Sequence, residues 1–524
     1  MLRTEQHQSA RIPLTTGSAA RLTHAIGLLA ILTLFTSTCT EAQNLGLLEG
    51  HADVGNVLHA GNAVYDPAND AYAVTGSGSN LWFTADEMQF AWKRMHGDVA
   101  LTAEIELVGE KGNNHRKAAL MVRQSLDPSS PYVDVARHGD GLTSLQFRLS
   151  PGDVTREIET AATAPHWVRI EKRGEFAYVS VGDSREELRF AGASMHLRLS
   201  GDFYVGIAVC SHDKDVTETA IFRHLEIQPL SATTRAGRRW STLETVKVAS
   251  TDRRVAYTAP ERFAAPNWSH DGTSIVFAQG GTLQRFGLDP APYPSLGVQA
   301  AANAHTVPIR IEVAAPLSDA HGFSPDGTQL AVSAMNGGAS HIYVLSAYGG
   351  TPREVPTDTS AVWTSWSPDG RTLLFTGQQG DQANIYTVPA PGGAETHLPH
   401  QQGRNKDADF SADGEWIYFS SDRTGTEQLW RMHPDGSAQE QVLTEAGDDL
   451  SPHPSPDGKW LVYIAFPAGR TAPGEQMAEL RLLSLSDRKP HLLATLLASS
   501  GTIPAPSWSP DSARVAFISY ALVQ

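Results

Sequence analysis

Two sets of residues have the types and spacing to do chemistry. The first centres on "SLQFRLS" (144–150), where Leu145, Phe147 and Leu149 alternate with Gln146 and Arg148. In a strand, that alternation puts Gln146 and Arg148 on the face opposite the apolar residues. His138 and Asp140 lie just upstream, around an Asp-Gly turn, and Arg123 and His212 sit in or beside other strand-like runs. Amide, guanidinium and imidazole groups on one sheet face would offer sugar hydroxyls paired, directional hydrogen bonds. The solvated face of a half-buried antiparallel sheet gives the same pattern without any ligand.

The second set recurs. Two residues before each of six equivalent serines stand Asn267, Gly322, Ser365, Asp409, His453 and Ser507, alternating with the bulky Trp268, Phe323, Trp366, Phe410, Pro454 and Trp508. Strand periodicity packs the bulky set against neighbouring elements and leaves the small or polar set on a shared central channel. His453 and Asp409 gather there, and Asp448, Asp449 and His321 are expected in the channel with them. Histidine with carboxylates could hold a metal, but only His453 sits in register, and the other reading is a water-filled polar channel. No metal is expected. "SHDKDVTE" (211–218) clusters oxygen ligands suited to Ca2+, yet lacks the Gly and terminal Glu spacing of an EF-hand loop, so a solvated acidic turn is the competing reading. No Gly-x-Ser-x-Gly elbow, P-loop, His-Glu-x-x-His, Cys-x-x-Cys or dinucleotide glycine motif is present. No catalytic residue is therefore assigned.

The elements that must position the second set are legible as repeats. "PNWSHDG" (266–272), "HGFSPDG" (321–327), "TSWSPDG" (364–370), "ADFSADG" (408–414), "PHPSPDG" (452–458) and "PSWSPDS" (506–512) each precede a strand-like run such as "RTLLFTG" or "KWLVYIA". Pro at the second position, Asp bonding nearby backbone and Gly at positive φ make a tight turn. Asp271, Asp326, Asp369, Asp413, Asp457 and Asp511 are accordingly turn-formers first. Their spacings of 55, 43, 44, 44 and 54 residues match a propeller blade. Second strand pairs follow, as in "HIYVLSAYGGTPREV" (341–355), so each unit is four antiparallel strands. The sixth unit lacks its outer pair, and "TVKVASTDRRVAYTA" (245–259) has that pattern ahead of the first turn. The expectation is a six-bladed ring closed by N- and C-terminal strands, with a Pro/Ala-rich insertion at 287–308.

These repeats resemble the TolB-like six-bladed propeller with PD40 (WD40-like) repeats, over residues 242–524. The resemblance implies a bacterial envelope protein that makes protein contacts. Propeller lyases holding a divalent cation on channel histidines are the enzymatic counterpart.

Residues 44–230 show no such repeat but are again all-β, with clean alternation in "DVALTAEIELVG" (98–109) that puts Val99, Leu101, Ala103, Ile105 and Leu107 on one face. About ten short strands between turn signals mean a sandwich or jelly roll. The order of "HRKAALMVRQS" (115–125), "HGDGLTSLQFR" (138–148), "WVRIEKRG" (167–174) and "YVGIAVCSHD" (204–213) resembles concanavalin A-like, laminin-G-like domains, which implies carbohydrate affinity on a concave sheet. Residues 231–241, "SATTRAGRRWS", read as a polar linker.

The net charge of −16 disfavours nucleic acid and anionic membrane surfaces. Arginines 3, 11 and 21 precede a short apolar run at 25–35, so residues 1–42 read as a secretory signal peptide, leaving no transmembrane segment in the mature chain. Cys39 raises a lipoprotein alternative; Thr36 and Thr38 fit the lipobox poorly. The resulting expectation is a periplasmic or secreted, non-enzymatic binding or scaffold protein for an envelope protein or a carbohydrate. The competing class is a carbohydrate-active lyase or hydrolase using the channel or the concave face.

Overall fold

Period-two alternation dictates strands, and the computed structural model contains no helix among its described residues. These are residues 44–109, 111–231, 237–288, 306–312, 315–398, 403–469, 476–498 and 505–523. The expected signal peptide, Cys39 and most of the 287–308 insertion lie outside them.

Residues 50–229 form two antiparallel layers. One runs in the order Gly50–Val54, Met88–Met95, Phe203–Cys210, Lys117–Arg123, Tyr132–His138, Leu142–Arg148, Arg156–Thr163. The other runs Arg189–His196, Phe176–Gly182, Trp167–Arg173, Val99–Leu107, Asp213–Pro229, Ala71–Gly78, Asn62–Asp66. Their inward faces share one core, in which Val99, Leu101, Ala103 and Ile105 meet Leu120, Val122, Val135 and Leu145, all fully buried.

The first layer does not stop at Thr163. Ile158 and Glu159 pair in parallel with Arg253 and Arg254, and the sheet continues through Arg253–Ala259, Arg238–Lys247, Arg514–Val523 and Ser507–Trp508. This corrects the linker expected at 231–241: from Arg238 the chain is strand, because Arg238–Lys247 pairs residue by residue with Arg514–Val523 and so satisfies its backbone groups.

Five separate four-stranded antiparallel meanders follow, in propeller arrangement, beginning with Phe263–Trp268, Leu317–Phe323, Ser360–Trp366, Asn405–Phe410 and Asp448–Pro454. The repeat turn between the first two strands of each has one chemistry. The serine hydroxyl donates to the aspartate Oδ1 at 2.5–2.6 Å, and that oxygen accepts the N–H two residues on at 3.0–3.1 Å. The following glycines sit at φ 69–73°, where a side chain is disfavoured. Ser509, Asp511 and Ala513 repeat the pattern in the sheet that includes the chain's last strand. Serine and backbone donors hold Asp271 down to about 2, and push the other five aspartates the same way.

Candidate functional site

The face expected to bind sugar is closed. Arg123, Gln146 and Arg148 are fully buried and His138 is 4% exposed. The hairpin Leu81–Trp82/Ala85–Asp86 delivers the Asp86 carboxylate between the two arginines, 2.8 Å from Arg148 Nη2 and 3.4 Å from Arg123 Nη2. Arg148 also donates to the carbonyls of Phe83, Pro128, Ser130 and Asp153, and Arg123 to those of Ser125 and Asp127. Both arginines staple loops and have no surface left for a ligand. Gln146 Nε2 lies 3.2 Å from His138 Nε2. Burial first, then Lys117, His115 and His212, pushes that imidazole down to about 2, so it is neutral. Asp140 is exposed and forms its turn by accepting the Leu142 N–H, while His212 sits half-buried on its own loop. In the acidic stretch 211–218, Asp213 accepts the Asp215 N–H and Lys214 pairs with Asp215. Among the described residues no group of three or more His, Cys, Asp or Glu could hold a metal ion.

The propeller does assemble its set. Asn267, Gly322, Ser365, Asp409, His453 and Ser507 all line one cavity of about 600 Å³. A β-bulge in each of the five first strands, just before this position, re-aims the chain. Ala265, Asp407 and Ser451, four residues before their turn serines, take φ of 52–54° there. The bulky residues behind lock adjacent sheets together: Trp366 Nε1 donates to the Gly322 carbonyl at 3.3 Å and Trp508 Nε1 to the His453 carbonyl at 2.9 Å. Gly322 is required by close approach, since a Cβ there would stand 2.2 Å from the Trp363 ring.

Within the cavity, Ser365 Oγ donates to Asp409 Oδ1 at 2.5 Å, and Asp409 Oδ2 lies 2.9 Å from His453 Nδ1. The serine is committed to a carboxylate instead of an imidazole, which is not the arrangement that activates a nucleophile. Asn267 donates to the His321 carbonyl at 2.9 Å. His321 belongs to the cavity wall through its backbone; its ring is turned inward against the Asp319 and Val276 carbonyls, and burial lowers its pKa. Asp448 and Asp449, expected near His453, lie before the bulge of their strand and away from the cavity lining. Asp448 accepts the Glu427 N–H, and Asp449 is 1% exposed beside Glu445 and Arg481.

Asp449 gives a direct pH test. Burial, then the neighbouring Glu445, raises its carboxyl to about 7 against Arg481. A carboxyl that holds its proton more tightly when folded contributes stability that is complete below its unfolded pKa and is lost as pH rises through the folded value. Asp449→Asn removes that pH-dependent loss. The variant is expected to exceed wild type by on the order of 4 kcal/mol at pH 8, narrowing to nothing near pH 3, in paired urea melts across that range. A pH-independent difference would contradict the assignment.

Sequence reasoning missed Asp407, Lys406, Thr364 and Thr376, which also line the cavity. The signal was the position four residues before each turn serine, where Asp407 stands among Ala265, Ala320, Trp363, Ser451 and Ala505.

Comparison with known proteins agrees with this architecture. The family model of the TolB beta propeller domain (PD40) matches residues 359–486. The uncharacterised protein Atu1656 of Agrobacterium fabrum (strain C58) is 34% identical over 286 residues, spanning 54% of this chain and 94% of that protein. The chain thus belongs to the TolB-like PD40 β-propeller family. Among solved structures, one assigned as TolB from Agrobacterium tumefaciens is 34% identical with a TM-score of 0.49, covering 55% of this chain and all of that one. TolB from Acinetobacter baumannii is 16% identical with a TM-score of 0.39, covering 59% and 79%. No helix among the described residues is long and apolar enough to cross a membrane.

Proposed function

We propose that this chain is an exported, non-enzymatic binding protein whose propeller channel seats the ligand. The observation carrying this reading is the convergence of six equivalent positions on one cavity, where the Ser365 hydroxyl, Asp409 carboxylate and His453 imidazole form one linked set and the Asn267 amide is oriented by the His321 carbonyl. Such a set suits recognition of a polar guest. In this reading the four strands Ser507–Trp508, Arg514–Val523, Arg238–Lys247 and Arg253–Ala259 act as a sixth blade, closed by N- and C-terminal segments. The two N-terminal layers act as a concanavalin A-like jelly roll serving as a platform, since the face once expected to hold sugar is filled by its own arginines. Export to the periplasm or beyond rests on the pattern of residues 1–42 and on the TolB-type propeller.

A second reading, a carbohydrate-active enzyme, is favoured by one observation: the His453–Asp409 pair at 2.9 Å has the form of an oriented general base. The full mature chain should be screened against peptide and oligosaccharide arrays alongside the Asp409→Ala/His453→Ala variant. Saturable binding that the double variant loses, without turnover, is the expected result. Binding indifferent to both residues would remove the channel as the seat. Turnover abolished by His453→Ala would replace binding with catalysis.

A further inference from the structure

Three loops meet at one corner of the N-terminal layers, and each brings a histidine. His115 precedes the strand Lys117–Arg123, His138 ends Tyr132–His138, and His212 lies between Phe203–Cys210 and Asp213–Pro229. The His115 ring centroid is 6.0 Å from that of His138 and 5.3 Å from that of His212. The loops are also tied to one another. Asn113 Nδ2 donates to the His212 carbonyl at 3.1 Å, the Asp140 N–H donates to the Asn114 carbonyl at 2.9 Å, and Arg116 pairs with Glu218 at 2.7 Å. Lys117, itself buried, stands opposite His138 in the strand register.

This corner has no place for an added proton. Nδ1 of both His138 and His212 is shielded from solvent and has no hydrogen-bond partner among the described residues, whereas an imidazolium carries N–H on both ring nitrogens. The carboxylates of these loops are engaged elsewhere: Glu218 by Arg116, Asp215 by Lys214, Asp213 by the Asp215 N–H and Asp140 by the Leu142 N–H. The acids of the covered sheet face, Asp134, Glu157 and Asp86, act on Lys117. Burial, then Lys117 and His115, lowers the His212 pKa in the same direction as that of His138. We propose that this histidine corner is an acid-released latch, closed at neutral pH, that frees loops 111–116 and 211–218 when its imidazoles gain protons. Residues 111–115 and 213–217 are exposed, so lifting them breaks few buried contacts and costs less than unfolding the layers. A histidine that holds its proton less tightly closed than open stabilises the closed form above its ordinary pKa of about 6.5, and that contribution is lost as pH falls below it. The inference concerns the N-terminal layers and does not depend on the channel as the ligand seat.

Cys210 supplies the readout. Residues 44–524 hold no other cysteine, and its buried sulfur accepts the His212 N–H at 3.4 Å, so the thiol is reached when that loop lifts. The test is the rate of Cys210 labelling by dithiodipyridine in the full mature chain from pH 7 to pH 5, each rate divided by that of the urea-unfolded chain at the same pH. Protection is expected to fall by about tenfold or more over that range in wild type, and by less than about threefold in His138→Gln/His212→Asn. Gln keeps a group facing Gln146, and Asn tolerates the φ of 56° at position 212. Hydrogen exchange on wild type should show loops 111–116 and 211–218 losing protection while Val99–Leu107 keeps it. The proposal is overturned if wild-type protection stays flat, if the double variant loses as much, or if Val99–Leu107 opens in step, which would make the event global acid unfolding. Should the double variant not fold, His212→Asn alone must reduce the wild-type drop, and an unchanged drop overturns the proposal equally.

Discussion

Replacing Asp86 with alanine is expected to cost the two N-terminal layers about 3–5 kcal/mol, the usual penalty for removing one partner of a buried ion pair. Asp86, Arg123 and Arg148 are all fully buried, and the carboxylate pairs with both guanidiniums, which otherwise donate mainly to loop carbonyls. Burial outweighs both arginines and leaves the Asp86 carboxyl above its usual range. The intact triad therefore contributes little net stability, whereas breaking it strands two desolvated cations. Urea unfolding combined with hydrogen exchange along Lys117–Arg123 separates this region from the propeller. A loss under about 1 kcal/mol for Asp86→Ala would mean that water reaches the arginines and that the triad is not the staple its geometry implies.

The contrast between the two expected sites shows what a sequence can reveal. The channel set was legible because the repeat supplies register: once the turn serine is fixed, Asn267, Gly322, Ser365, Asp409, His453 and Ser507 occupy one structural position in successive sheets, and all six line the cavity. Strand alternation likewise placed Val99, Leu101, Ala103 and Ile105 in the core. Alternation also correctly put Gln146 and Arg148 on a common face, but it does not say what folds over that face. The cover is a hairpin ending at Asp86, far upstream, and nothing in "SLQFRLS" encodes it. Asp448 and Asp449 failed for a local reason: both pair ahead of the bulge after Leu450, on the part of the strand that does not reach the cavity. Asp407, two residues before Asp409, shares its side of the strand by simple alternation and also lines the cavity.

Phe517→Ala is expected to cost about 3–5 kcal/mol, and the size of that loss tests how the two ends of the propeller region are joined. The strand Arg514–Val523 pairs with Arg238–Lys247 through ten successive residues, so segments far apart in the chain share one ladder. Phe517 is fully buried at that junction. It packs with Val246 from the N-terminal partner and with Leu450, Val462, Ile464 and Leu480 from the preceding four-stranded sheet. The Arg253 guanidinium, itself paired with Glu244, lies 5.6 Å from its ring centroid. Truncation would thus open a cavity where three segments meet and would also uncover a buried ion pair. Val523, at the half-buried end of the same strand, keeps its backbone pairing but packs less; Val523→Ala is expected to cost about 0.5 kcal/mol. Denaturant titration of the two variants compares side-chain packing with backbone pairing on one strand. Equal costs would show that the ladder alone holds the junction. A large difference would show that the junction is held by the core behind the ladder, because ladder hydrogen bonds are replaced by bonds to water on unfolding, whereas exposing the buried apolar surface to water is not compensated.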